Sequence, residues 1–295
     1  MTKKVIYALG FFDGVHLGHQ ALLKACRELA AENNCGTAAL TFDLPPASVL
    51  KRQPADMLNT VSDRIALLKQ YGMERVTIWQ TNEKTLATSW EDFLAELLAQ
   101  GAAGFVCGED FRFGHKGLGS AETLAAFCKE RGLPCAIVPD QLLDGIRISS
   151  THIRGLLAEG KVAEASRFLG HPHIFSGKVV EGRQLGRTIG IPTANLAFPE
   201  GMLLPKKGVY ACKVRFDGAE FMAVTNVGNR PTVNGEAVTV EPFLLDFDGD
   251  LYGKELSVVF YEFLRPEQKF ASLADLQKEI QKNAHETRIF FEKSL

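Results

Sequence analysis

No two of the six cysteines (Cys26, Cys35, Cys107, Cys128, Cys135 and Cys212) stand in a CxxC pair. That excludes a zinc ribbon and a thioredoxin-like redox centre. Nor does any apolar run reach the roughly 20 residues that cross a bilayer. The segment Val5–Leu9 after Lys3 and Lys4 is too short for a signal peptide, and it is followed by Asp13 and His16 with no small-residue cleavage site. The expectation is a soluble cytoplasmic protein with reduced, mostly buried thiols. An excess of one charge is also missing: 33 Lys and Arg face 35 Asp and Glu, a formal net charge of −2. Nucleic acid is therefore not an expected partner, since phosphate-backbone affinity needs clustered basic residues. Any phosphate handled here is small and held locally. Internal repeats and low-complexity tracts are absent as well. What remains is 295 residues with 46% hydrophobic and 23% charged content, enough for two ordinary cores.

The first half alternates strand-like with helix-like segments. Strands are expected at Val5–Leu9, Thr37–Phe42, Val76–Trp79, Phe105–Cys107 and Ala136–Val138. Helical patterns run from Gly18, over Asp63–Tyr71, after Ser89, over Ser120–Arg131 to the stop residue Gly132, and at Ser150–Ala158 and Val162–Leu169. This alternation predicts a doubly wound α/β domain with a parallel sheet. In such sheets ligands sit beyond the carboxyl ends of the strands, which directs attention to the loop after the first one. Near Gly170 the texture changes to β-branched and aromatic residues punctuated by Gly and Pro. Gly208–Phe216 and Glu220–Asn226 join through Asp217-Gly218, a hairpin signal, and Thr239–Phe247 and Leu251–Phe263 join around Asp248-Gly249-Asp250. The second domain reads as a small antiparallel β-barrel or sandwich closed by a helix from Ser272 to near Phe291. The division falls at residues 1–170 and 171–295.

The loop after the first strand reads Gly10-Phe11-Phe12-Asp13-Gly14-Val15-His16-Leu17-Gly18-His19. Backbone N–H groups at a helix start are unpaired donors with partial positive charge, which suits phosphate. Gly18 permits close approach, and His16 and His19 add directed donors around a triphosphate. Such donors stabilise charge gathering on an α-phosphorus during in-line displacement. Further on, Ser149-Ser150-Thr151-His152-Ile153-Arg154 offers hydroxyls that can cap a helix and an arginine one turn inside it, able to clamp phosphate oxygens.

The second domain opens with Gly177–Gly182 and then Gly186-Arg187-Thr188-Ile189-Gly190-Ile191-Pro192-Thr193-Ala194-Asn195. Gly182, Gly186, Arg187, Gly190 and Pro192 suit a loop wrapping a polyphosphate with its own N–H groups. Thr193 and Asn195 supply hard oxygen ligands appropriate to Mg²⁺ bridging phosphates. Neither a Walker A loop nor a protein-kinase lysine motif is present.

The Gly10–His19 run, the Gly108-Glu109-Asp110-Phe111-Arg112-Phe113-Gly114 loop and the Ser-Ser-Thr-x-x-Arg element resemble the prokaryotic bifunctional riboflavin kinase/FAD synthetase family. So do Pro192-Thr193-Ala194-Asn195, Asn226-Val227-Gly228-Asn229-Arg230-Pro231-Thr232 and Asp250-Leu251-Tyr252-Gly253. The resemblance covers nearly the whole chain. It implies ATP binding by Gly10, Phe11, Asp13, Gly14, His16, Gly18 and His19, phosphate contacts by Ser150, Thr151 and Arg154, and attack of the FMN phosphate to give FAD and pyrophosphate. It further implies a six-stranded barrel that phosphorylates riboflavin from ATP, with Glu241 orienting or deprotonating the hydroxyl. Asn226, Gly228, Arg230, Pro231 and Thr232 would form a flavin loop.

Three positions depart from the family pattern. Thr41-Phe42-Asp43-Leu44-Pro45-Pro46 lacks the histidine of Thr-Phe-x-Pro-His-Pro, Glu241-Pro242-Phe243 lacks that of Glu-x-His, and Leu185 replaces a common basic residue. Phosphoryl transfer depends mainly on positioning and metal electrostatics, so neither loss implies a dead site. Two alternatives stand beside the bifunctional enzyme: an adenylyltransferase for another phosphorylated acceptor, and a flavin-binding homologue without catalysis.

Overall fold

The computed structural model describes residues 3–51, 55–181, 191–232 and 235–293, which divide into two compact units. One is Met1–Asp56 with Val61–Ser150, and the other Met57–Thr60 with Thr151–Leu295.

The first unit is built in chain order from β1 (Val5–Leu9), α1 (Leu17–Glu32), β2 (Gly36–Phe42), α2 (Pro46–Lys51), α3 (Val61–Gln70), β3 (Arg75–Trp79), α4 (Glu83–Leu86), α5 (Trp90–Ala99) and β4 (Ala102–Gly108). There follow a short hairpin of β5 (Arg112–Phe113) and β6 (Gly119–Ser120), then α6 (Ala121–Arg131), β7 (Cys135–Val138), and a second hairpin of β8 (Leu142–Leu143) and β9 (Ile146–Arg147). The long strands make one parallel sheet in the order β3-β2-β1-β4-β7. Central β1 is buried on both faces, which is why it reads as an unbroken apolar run. Leu9 pairs with Leu40 on one side and Cys107 on the other. The strand order reverses at β1, so the loop leaving it opens into the crevice where α/β sheets bind ligands.

Local signals operate as the side chains dictate. Ser89 Oγ accepts from the Asp92 N–H at 3.0 Å to start α5, and Gly132, at φ 64°, ends α6 in the left-handed conformation. The short helices α2 and α4 and both small hairpins carry too few residues to show a hydrophobic period.

In the second unit α7 (Ser150–Glu159), whose first residue still belongs to the first unit, and α8 (Val162–Leu169) precede a six-stranded antiparallel barrel. Its strands are β10 (His173–Val180), β11 (Asn195–Ala197), β12 (Gly208–Phe216), β13 (Ala219–Thr232), β14 (Gly235–Leu244) and β15 (Glu255–Arg265), in the order β11-β10-β15-β12-β13-β14. The Ala194 N–H donates to Pro242 O at 3.0 Å, which brings the β11 end back to β14 and nearly closes the barrel. Asp217 and Gly218, at φ 48° and 78°, form the tight turn between β12 and β13. β15 begins later than the apolar pattern suggests, because Gly253 at φ 75° and a Tyr252 N–H donated to Asp250 Oδ1 hold a turn there. The interior is filled by Tyr210, Cys212, Val214, Val258 and Phe260. The closing helix α9 (Leu273–Lys293), capped by Ser272 on the Asp275 N–H, covers an outer patch of Val209, Val224 and Leu245 through Ala284.

Candidate active sites

The chain leaves β1 by a loop in left-handed backbone. Phe12 has φ 57°, Gly14 φ 79° and Val15 φ 40°, conformations that cost energy at the two non-glycine positions. The loop delivers His16 as the N-cap of α1, where its Nδ1 accepts the His19 N–H at 3.3 Å. Because Nδ1 accepts, a neutral His16 carries its proton on Nε2. The two imidazoles stack with centroids 3.7 Å apart, and Phe12 meets His19 edge-on at 5.2 Å. Gly18 is tight against this pair: a Cβ there would lie 3.2 Å from the His16 ring. Burial, then the neighbouring His16, then Arg64, hold the His19 imidazole well below its ordinary pKa, so it is neutral at pH 7. His19 Nδ1 is buried with no hydrogen-bond partner among the described residues, the signature of a group kept for something else.

Arg64 was not singled out in the sequence, yet it supports this loop. It is fully buried, with its guanidinium 4.3 Å from the centre of the Phe11 ring. Nη1 donates to Phe42 O at 2.6 Å, Thr41 Oγ1 at 3.1 Å and Phe11 O at 3.3 Å, while Thr41 Oγ1 itself donates to Phe11 O at 2.6 Å. Burial draws its pKa down, and Asp13 and Asp43 oppose that shift. A signal was available: Arg64 lies three and four residues before Leu67 and Leu68, on the buried stripe of α3.

Ser150 Oγ donates to Asp13 O at 3.0 Å, so the start of α7 is tied to the histidine loop across 137 positions of sequence. Arg154 stands one turn further along α7 and is half-buried, whereas Thr151 is exposed. At the position of the missing histidine, Pro45 O accepts from the N–H and hydroxyl of Ser48 at the start of α2. Asp43 Oδ1 accepts the Thr81 N–H at 2.7 Å. In the Gly108–Gly114 loop, Phe111 and Phe113 stack at 5.5 Å, and Asp110 bonds Arg147 at 2.7 Å.

On the barrel, Glu241 of β14 pairs directly with Asn226 of β13, and both are half-buried. Thr193 and Asn195 flank Ala194, whose N–H is fixed on the residue following Glu241. The strand pairing thus gathers Thr193, Asn195, Glu241 and Asn226 on one stretch of wall, although 48 and 46 positions separate Glu241 from the first two. Thr193 and Asn195 present uncharged oxygens of the kind Mg²⁺ accepts beside substrate phosphates. No cluster of three or more His, Cys, Asp or Glu able to hold a metal occurs among the described residues. Gly182, Leu185, Gly186, Arg187 and Gly190 lie outside the described residues; Pro192 is exposed. Of the proposed flavin loop, Gly228 faces Thr239, Arg230 faces Ala237, and Pro231 and Thr232 end β13. Phe243, in place of a histidine, packs with Val224 and Leu245 and lines a cavity of about 370 Å³ with Ile191 and with Gln281 and His285 of α9. An apolar ring is at home there, which accounts for that departure.

All six cysteines are free, and burial pushes the thiols of Cys26 and Cys107 up to about 12, leaving them unreactive. No helix among the described residues is long and apolar enough to cross a membrane.

Comparison with known proteins bears on both sites. A family model for FAD synthetase matches residues 1–152, and one for riboflavin kinase matches residues 169–291. The bifunctional riboflavin kinase/FMN adenylyltransferase of Listeria monocytogenes is 36% identical over 292 residues, covering 98% of this chain and 93% of that one. That of Haemophilus influenzae is 39% identical, covering 96% and 93%. A solved structure described as a macrolide-efflux protein from Streptococcus pneumoniae aligns with a TM-score of 0.85 at 30% identity, over 98% of this chain and 95% of that one. With both catalytic domains matched in order and the likeness running the length of the chain, the protein belongs to the family of bifunctional riboflavin kinase/FMN adenylyltransferases.

Proposed function

We propose that the two reactions divide along the chain, adenylyl transfer in residues 1–170 and phosphoryl transfer in residues 171–295, with ATP, riboflavin and FMN as the small-molecule partners. The observation that carries the first assignment is the stacked His16–His19 pair at the mouth of α1, where the strand order reverses. The N–H groups opening α1 and the imidazoles grip the triphosphate, with Gly10, Phe11, Asp13, Gly14 and Gly18 shaping the loop that admits it. A neutral His19 donates one hydrogen bond without forming an ion pair that would resist release of pyrophosphate. Ser150, Thr151 and Arg154 contribute the remaining phosphate contacts.

In the barrel, Glu241 orients the terminal hydroxyl of riboflavin, and Thr193 and Asn195 hold Mg²⁺. When bound, that ion neutralises charge on the transferring phosphate. The residues do the rest: the Ala194–Pro242 bond keeps the oxygen ligands beside Glu241, and Gly182, Gly186, Arg187 and Gly190 supply donors to the polyphosphate. Free cysteines and unremarkable charge support a cytoplasmic setting.

Pure protein given riboflavin, ATP and Mg²⁺ is expected to release FMN and then FAD, followed by chromatography. Unchanged riboflavin across metal and redox conditions would refute the reading. His19→Ala is expected to stop FAD formation from FMN while sparing the kinase, and Asn195→Ala to do the reverse. Loss of both activities in either folded variant would refute the two-site assignment.

A further inference from the structure

Torsional preference does not explain the loop that carries His16 and His19. Phe12 and Val15 stand in left-handed backbone without being glycine, and such residues persist only where their surroundings hold them there. The hold begins one residue earlier. Phe11 O accepts from Thr41 Oγ1 at 2.6 Å and from Arg64 Nη1 at 3.3 Å, and the same Nη1 donates to Phe42 O at 2.6 Å. One nitrogen thus ties the exit of β1 to the end of β2. Phe12 then turns inward: it is fully buried, and its ring folds back over Gly10, where a Cβ would lie 3.1 Å from it.

Arg64 also brings a full charge into this layer, where water does not solvate it. Around His19, His16 stacks on the imidazole from the helix mouth and Arg64 acts on it from α3, while Asp13 and Asp43 act on the guanidinium itself. After burial and His16, the Arg64 charge is the third influence lowering the His19 pKa. Arg64 therefore fixes the carbonyl at which the left-handed turn starts and disfavours a proton on the imidazole to which it leads. An apolar side chain does neither. Lysine keeps the charge and a donor without the planar fork.

We propose that Arg64 is a positioning residue for adenylyl transfer: by tying Phe11 O to the end of β2, it keeps the turn wound and the His16–His19 pair aligned on the nucleotide. It touches no reacting atom and acts through the loop. This rests on the adenylyltransferase reading of the first unit. The test measures FAD formation from FMN and ATP by the full-length protein, with rates taken per folded first unit from tryptophan fluorescence. Beside it, NMR follows protonation of the His19 ring, whose signals are identified by their loss in His19→Ala. Arg64→Gln keeps a donor but no charge. It is expected to lower kcat about tenfold to a hundredfold, with the KM for ATP changed less than about threefold, because ground-state binding survives while alignment does not. Its His19 is expected to take up a proton at a higher pH than in the wild type. Arg64→Lys is expected to keep the wild-type His19 titration and to recover part of kcat. An unchanged kcat in Arg64→Gln, an identical His19 titration in Arg64→Gln and wild type, or a lysine variant no better than the glutamine one would each overturn the assignment. Wild-type protein that makes no FAD from FMN would instead remove the adenylyltransferase reading, and this proposal with it.

Discussion

Beneath the histidine loop, Arg64 satisfies three oxygens in a place that water does not reach. Arg64→Met removes all three of these donated bonds, leaving Phe11 O only the Thr41 hydroxyl, and is expected to cost about 2–4 kcal/mol. Both tryptophans, Trp79 and Trp90, lie in the first unit, so urea unfolding followed by their fluorescence reads that cost separately from the barrel. His173 makes a different kind of demand. It is buried on β10, its Nε2 has no partner among the described residues, and burial, with His171 nearby, lowers its pKa to about 3. A group whose folded pKa is depressed contributes its stability above the unfolded value near 6.5 and loses it as pH falls toward the folded one. Between pH 6.5 and 5 the barrel is expected to lose about 2 kcal/mol on this account. Urea titrations at pH 7 and pH 5 check it: His173→Phe should flatten the difference by that amount. His19 has the same sign and adds to acid sensitivity in the first unit.

The Gly108–Gly114 loop ends at Gly114, which has φ 72° and sits against the first turn of α5. A Cβ there would come within 2.6 Å of the Trp90 N and Cα atoms, which are backbone and cannot swing aside. Gly114→Ala is therefore expected to cost about 2–3 kcal/mol and to depress FAD formation without touching the kinase. Gly218, at φ 78° in the β12–β13 turn, has nothing within 4 Å of its would-be Cβ. Gly218→Ala should cost only about 1 kcal/mol, for backbone strain alone. Comparing the two by denaturation separates the effect of packing an element end from the effect of a left-handed torsion. Helix ends here are fixed by side chains as much as by packing. Ser89, Ser120 and Ser272 each accept a backbone N–H three residues on, and each lies just where its helix begins.

For the molecule as a whole, the two units have separate cores, and the proposed function gives each its own triphosphate site. Calorimetry of the intact chain with a slowly hydrolysed ATP analogue and Mg²⁺ is expected to show two binding events. His19→Ala should remove one and Asn195→Ala the other. A single event in the wild type, or loss of both in one folded variant, would contradict independent sites. The departures at Pro45 and Phe243 bear on this scale too. Each apolar replacement is absorbed by its own surroundings, Pro45 at a helix start and Phe243 in the patch under α9.

The alternation of strands and helices, the hairpin at Asp217-Gly218, the stop at Gly132 and the histidine loop after β1 were legible in the residues themselves. Each depends on torsional preference, capping or periodicity within a short window. What the sequence left open was decided by strand order and register. Arg64 declared its helix face through Leu67 and Leu68, but not the Phe11 and Phe42 carbonyls it serves. Ser150 meets Asp13 and Ala194 meets Pro242 only because β1 sits mid-sheet and the β11 end closes on β14. Contacts between distant segments have no local energetic signature. They exist only once the sheets have formed and brought those backbones within a few ångströms of each other.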